Sequence, residues 1–342
     1  MNKVGIIIPT LNRLDFVQRL IKYYLFCNDQ VSVYIGDASN NDSSNKLKSI
    51  IDNKSVCKIY YYHFPKLNDA KTIYKLSTLV KEKYICFSGD DDFFITKSLI
   101  KCANFLEKNN NYRSAQGRAY VFETNNNELY QKVSKMHSYW NKIEINENFA
   151  YKRALHLSKN YFVPEFSVNR TQNFIEDKKP SIEIIDRNIR EYMSSFSIVI
   201  NGKSKFLDCL YMLRQHHPNR GVSSVSNHYS EKKTREIFDS NSIDIFKKFI
   251  EKSLIKKDNI STIFSLKCLD GIMQNLNIYE IKDHGLVNFI KKTKKIISYT
   301  YAIYYKLLSL LKKQRFQIIK FRHESELKNF LSFIEKDFYI DK

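Results

Sequence analysis

The sequence predicts an α/β fold, a mostly parallel sheet with flanking helices, followed by a C-terminal helical region. Three observations carry this. Strand-like and helix-like segments alternate over roughly the first ninety residues, the pattern of βαβ units. Polar clusters fall at the C-terminal ends of several strand-like segments, the edge where open α/β sheets bind ligands. From about residue 240 the chain changes to basic segments with helical spacing.

The elements follow in order. "VGIII" (4–8) is a buried strand that stops at Pro9, and "RLDFVQRLIKYYLFC" places Phe16, Leu20, Tyr23 or Tyr24 and Cys27 on one helical face. "VSVYIGD" is a second strand ending in the polar turn "DASNNDSS". A helical "SNKLKSIID" leads to a third strand, "CKIYYYHF". "LNDAKTIYKLSTLVKEK" is a helix, and "YICFSG" is a fourth strand that runs into Asp90, Asp91 and Asp92. "TKSLIKCANFLEKNN" continues as helix and "SAQGRAYVFE" as strand, whereas 125–150 is polar and carries no clear period. "SIEIIDRNIREYMSSF" reads as a helix with Ile182, Ile185, Ile189 and Met193 as its apolar stripe. "FLDCLYMLRQHHPNR" closes a catalytic domain expected to span 1–228. Residues 240–342 are expected to form a basic, mainly helical region.

Composition narrows the function classes. The 342 residues include 56 Lys or Arg against 36 Asp or Glu, a formal charge of +20 that favours an anionic partner. The six cysteines are scattered without a CxxC pair, as free thiols in a reducing compartment would be. No apolar window reaches membrane-spanning length and no signal peptide is read at the start. A P-loop, a GxGxxG turn and an EF-hand loop are all missing.

The three consecutive aspartates repel one another at the tip of a hydrophobic strand. Mg²⁺ or Mn²⁺ prefers carboxylate oxygens and bridges readily to phosphates, so a D-x-D at a strand end suits a metal–diphosphate site. With "VGIIIPTLNR", "VYIGDASNNDSS" and "YICFSGDDDF" in this order, the chain resembles the glycosyltransferase A (GT-A) fold, a Rossmann-like architecture. It is most similar to the inverting family 2 of nucleotide-sugar transferases. The likeness covers roughly 3–120 and departs from the family pattern at Gly36, a usual acidic position, and at Ala38, a usual glycine. It implies that Pro9, Thr10, Asn12 and Arg13 contact the nucleotide and that Asp37 reaches the base. Asp90 is then expected near the ribose and Asp92 on the metal, with Asp91 in support.

Inverting transfer also needs a base to take the acceptor hydroxyl's proton. The resemblance places it near the start of a later helix. Asp186 is the first choice and Glu183, three residues before it, the second; the Glu176-Asp177 pair comes third. In "LRQHHPNR", Arg214 suits phosphate oxygens, and His216 or His217 could complete the metal site.

These readings combine into one expectation: an inverting, divalent-metal-dependent glycosyltransferase. It would use a nucleotide-sugar donor, foremost a UDP-sugar, and a glycan or lipid-linked acceptor in bacterial surface polysaccharide synthesis. The protein is expected in the cytoplasm, peripheral on an anionic membrane surface. The stretch 282–322, with eleven Lys or Arg and Asp283 as its acidic residue, would be the contact. The alternatives are a GT-A-fold protein that binds without transferring and, from charge alone, a nucleic-acid-binding protein. The latter has no RNP, zinc-finger or KH-like signature to support it, so no specific nucleic acid is expected.

Overall fold

The computed structural model describes residues 3–40, 44–48, 50, 55–125, 129–140, 142–217, 239–276, 278, 319–320 and 322–336. The chain divides into two units: 1–119 with 140–214 and 238–277, and 120–139 with 215–237 and 278–342. The helices that begin after 238, expected in a separate helical region, therefore lie in the first unit as far as 277.

In the first unit, β1 (Val4–Thr10) pairs in parallel with β2 (Val31–Asp37) and with β4 (Tyr84–Phe87). β2 in turn pairs with β3 (Lys58–His63). The strand order is β3-β2-β1-β4-β8-β6-β9-β5, where β5 is Asp92–Phe94, β6 Tyr112–Thr124, β8 Val168–Arg170 and β9 Lys203–Gln215. The β3-β2-β1-β4 part is parallel, whereas β8 meets β4 and β5 meets β9 antiparallel. Helices α1 (Leu14–Cys27), α2 (Ser44–Lys48), α3 (Asp69–Ser77) and α4 (Thr96–Lys108) supply the connections.

α1 and β2 illustrate why the sequence folds this way. Phe16, Val17, Leu20, Ile21, Tyr23 and Tyr24 recur at helical spacing and are buried, and Asn28 ends α1 in the left-handed conformation that Asn tolerates. Every residue of β2 is buried, as a central parallel strand covered on both faces requires. Ile7, Tyr34, Ile73, Leu76, Ile85 and Phe174 form one core cluster between sheet and helix. Gly36 belongs to this packing. A Cβ there would lie 2.7 Å from Leu76 Cδ1 and 3.0 Å from Thr72 Cγ2, so α3 occupies the space that an acidic side chain needs. Gly36→Asp is therefore expected to destabilise the protein by about 1–3 kcal/mol through overpacking, measured as a lower urea midpoint with an unchanged slope.

The remaining helices of the first unit are α5 (Ala150–Lys159), α6 (Thr171–Lys178), α7 (Arg187–Asn201), α8 (Ser240–Asp258) and α9 (Thr262–Asn275). α5, α7, α8 and α9 pack on one another. Asp258 at the end of α8 accepts from the Ala150 and Tyr151 N–H groups, at 2.9 and 2.8 Å, and so caps the start of α5.

In the second unit the outer end of β6 pairs with β7 (Val133–Ser138), a strand in the stretch that shows no clear period in the sequence. Phe330 of α10 (Glu324–Lys336) stands edge-on to Phe122, with ring centres 5.1 Å apart. Among the described residues no helix is long and apolar enough to cross a membrane.

Candidate functional site

The register of the parallel strands assembles the site. Thr10 and Asp37 are partners at the ends of β1 and β2, and Pro9 faces Gly36 one step earlier. Ile7 faces Phe87 on β4, and the Ser88 N–H then donates to Ile7 O at 2.9 Å. That places the turn carrying Asp90 beside Thr10.

The side chains close this arrangement. Thr10 Oγ1 donates to Asp90 Oδ2 at 2.8 Å, while the Arg13 guanidinium pairs with Asp90 and reaches Asp91 Oδ2 at 3.1 Å. Asn12 takes a positive φ of 55°, bending the chain so that Arg13 can turn back, and its N–H donates to Ser39 Oγ at 2.7 Å. Arg13 also lies over the Phe16 ring, 4.0 Å from its centre.

Asp92 opens β5 and faces Arg214 of β9 in register; Arg214 Nε donates to its Oδ1 at 2.9 Å. Three carboxylates are thus set against two guanidiniums, which is what holds this acidic run at the strand tip. Burial pushes the Asp90 carboxyl up to about 7; Arg13 draws it down and the charge of Asp91 raises it further. Gly89 makes room for the cluster, since a Cβ there would meet Asp92 Oδ2 at 3.0 Å and Asp91 Oδ1 at 3.1 Å.

Asp37 is held from two sides. Its Oδ1 accepts from the Ser39 N–H at 2.9 Å and its Oδ2 from the Tyr61 hydroxyl at 2.8 Å. His63 Nε2 sits 2.7 Å from Ser39 O. Tyr61 and His63 come from the "YYYH" run of β3, which the sequence marks only as a strand.

The structure corrects the expected helix across 181–196. Residues 182–186 are not helical; α7 begins at Arg187, and Asp186 is its N-cap, accepting from Asn188 N at 2.9 Å and Ile189 N at 3.0 Å. Glu183 and Asp186 therefore do not share a helix face. Glu183 is exposed and pairs with Lys71 at 3.5 Å, and Ile185, expected in the apolar stripe, is 81% exposed. The other Asp186 oxygen meets the Asp239 N–H at 3.2 Å. The third candidate pair is structural: buried Asp177 accepts from Arg113, Ser197 and Asn201, while Glu176 pairs with Arg113 at the surface.

A second acidic centre forms on α7. Glu191 Oε1 accepts from the Tyr161 hydroxyl at 3.0 Å, and that hydroxyl lies 3.2 Å from Ser195 Oγ. Burial raises the Glu191 carboxyl above its ordinary range and the charge of Glu165 adds to this. Tyr161, Arg214 and Arg187 pull the other way. Glu165 itself forms a buried ion pair with Lys178 at 3.0 Å. A carboxyl raised in the folded state disfavours folding progressively as pH rises through the ordinary glutamate range toward the folded value. Glu191→Gln is accordingly expected to gain stability relative to the parent at pH 8 compared with pH 5, read from paired urea melts.

Arg214 ends the first unit, whereas His216 and His217 belong to the second. There the His216 N–H donates to Phe122 O at 2.8 Å; His216 is exposed and His217 buried, so the two imidazoles do not share a face. Among the described residues no group of three or more His, Cys, Asp or Glu is arranged to hold a metal ion. The donor chemistry at Asp90–Asp92 nonetheless fits a hard divalent cation: oxygen-only ligands, crowded and buried, now balanced by arginines.

No family model and no curated protein matches this chain. Solved structures do. The structure of S. aureus TarS 1–349 in complex with UDP-GlcNAc is similar at a TM-score of 0.51 and 13% identity, over 80% of this chain and 72% of that one. The fold is of the GT-A type. TarS 1–349 is also matched at a TM-score of 0.49, with 13% identity over 80% of this chain and 71% of that chain. In complex with UDP it is matched at 0.40, with the same identity and coverage of 80% and 90%. The GT-A sheet of this chain thus runs its parallel strands into the Thr10–Arg13–Asp90 cluster.

Proposed function

We propose that this protein is an inverting glycosyltransferase that takes a sugar from a nucleotide-sugar donor. The observation that carries the reading is the Thr10–Arg13–Asp90 contact at the C-terminal edge of the parallel strands, with Asp37 beside it, on a GT-A fold. The UDP-GlcNAc complex of TarS supports a UDP-sugar as donor. The turn Pro9–Arg13 and Asp37 bind the nucleoside, and Arg13 and Arg214 supply positive charge for the diphosphate.

Asp90 and Asp92 would hold a Mg²⁺ or Mn²⁺ ion. When bound, the ion would offset the charge of the leaving diphosphate. Asp91 supports the pair through Arg13.

The base comes from the start of α7. One Asp186 oxygen caps the helix and the other meets the Asp239 N–H, so the carboxylate is held rigidly and presents an oxygen to an acceptor hydroxyl. Glu183 and Glu191 are the competing carboxylates. The acceptor is a glycan or a lipid-linked saccharide, in keeping with a role in bacterial surface polysaccharide synthesis at the cytoplasmic face of the membrane. Of the basic stretch 282–322, residues 282–318 and 321 lie outside the described residues.

The test is release of UDP from UDP-GlcNAc and related donors in the presence of a panel of glycan and lipid-linked acceptors, with products identified by mass. A glycoside of inverted anomeric configuration is the expected result. Nucleotide binding with no product from any donor–acceptor pair would instead identify a GT-A-fold binding protein.

A further inference from the structure

The first unit carries an apolar surface that neither the donor site nor the base accounts for. On the N-terminal half of α9, Ile263 is 71% exposed, Leu266 43% and Phe264 39%; Phe149, just before α5, is 50% exposed. Phe149, Tyr151 and Phe264 form its aromatic part, and Ile263 and Leu266 lie one turn apart on α9. The Tyr151 ring stands edge-on to Phe264 at 5.1 Å and lies 5.7 Å from the Phe149 ring. Single exposed apolar residues need no explanation, but a contiguous group of aromatic and aliphatic side chains marks a contact surface.

Its rim is cationic. Lys152 Nζ lies 5.5 Å from the centre of the Phe149 ring, Lys256 and Lys257 end α8 immediately before the turn into α9, and Lys267 follows Leu266. Two carboxylates of the adjoining segments are engaged. Asp258 caps α5, and Glu147 pairs with His156 at 2.5 Å. Asp270, one turn beyond Leu266, is the remaining acidic group on this helix face.

We propose that the face formed by Phe149, Tyr151, Ile263, Phe264 and Leu266, with its lysine rim, is a contact surface for an anionic lipid bilayer. Charge complementarity selects this occupant. Lysine is depleted from protein–protein interfaces. At a bilayer, by contrast, lysine ammonium groups pair with anionic headgroups while their stems and neighbouring aromatic rings enter the boundary region. The net charge of +20 acts in the same direction. This surface consists of described residues outside the stretch 282–322.

The experiment is co-sedimentation of the full chain with phosphatidylcholine vesicles that contain or lack phosphatidylglycerol. Each lysine brought to the surface is worth roughly fivefold in partitioning. The paired variants Lys256→Glu with Lys257→Glu, and Ile263→Glu with Leu266→Glu, are therefore each expected to bind anionic vesicles at least about tenfold more weakly than the parent. Because these side chains are exposed, thermal melts should be unchanged. Should either pair disturb folding, Ile263→Trp provides a second reading: its added fluorescence, above that of Trp140, should be quenched by brominated lipid. Parental binding by both pairs, no binding by the parent, or an Ile263→Trp signal untouched by brominated lipid would overturn the proposal. So would conversion of an oligomer to a monomer by the apolar pair.

Discussion

Asp186→Asn is expected to lower turnover by about 10²–10⁴-fold, the range that a general base contributes, with donor affinity unchanged. The substitution separates two roles. Asn caps helices as well as Asp does, so the contacts to the Asn188 and Ile189 N–H groups survive and α7 keeps its start. What is lost is the ability to accept the acceptor hydroxyl's proton, a contribution made in the transition state. Steady-state kinetics with an identified acceptor, alongside calorimetric donor affinity, checks this. Turnover retained in Asp186→Asn but lost in Glu191→Gln would transfer the role to the carboxylate held by Tyr161.

The second large effect belongs to the aspartate cluster. Asp92→Asn is expected to cut transfer by about 10²–10³-fold, the size seen when one group stabilising transition-state charge is removed. The variant should also lose its response to added Mn²⁺. Asp92 is buried and bonded to Arg214, so a melt must accompany the kinetics. A folded variant with undiminished activity and unchanged metal response would remove Asp92 from the proposed ligand set.

How much of this was legible in the sequence depends on what each feature rests on. Period and strand–turn order mark β1, β2 and β4 with their helices, because buried parallel strands are continuous apolar runs, and β3, a half-buried edge strand, is marked by its tyrosines. The same reasoning places Thr10, Arg13, Asp37 and Asp90 at one sheet edge, and their contacts follow from register.

Other features are tertiary. Arg214 meets Asp92 through an antiparallel pairing 122 residues apart in sequence, which no local pattern encodes. The helix predicted from Ser181 begins at Arg187 because Asp186 turns its carboxylate onto the backbone, a capping signal that the apolar spacing of Ile182 and Ile185 masks. Gly36 looks like a lost acidic ligand until Leu76 is seen filling its space. Glu191 and Glu165 gain their meaning from burial beside Tyr161 and Lys178, contacts that join three separate segments.

The central claim is a divalent-dependent nucleoside diphosphate site on β1, β2 and the Asp90–Asp92 turn. Titration calorimetry of the full chain with UDP, with Mn²⁺ and then with a chelator, tests it most directly. Binding with Mn²⁺, substantial loss on chelation, and loss in Asp90→Asn are the expected results. UDP binding that chelation and Asp90→Asn leave unchanged would contradict it, as would no binding of UDP, GDP, CDP or dTDP under any of these conditions.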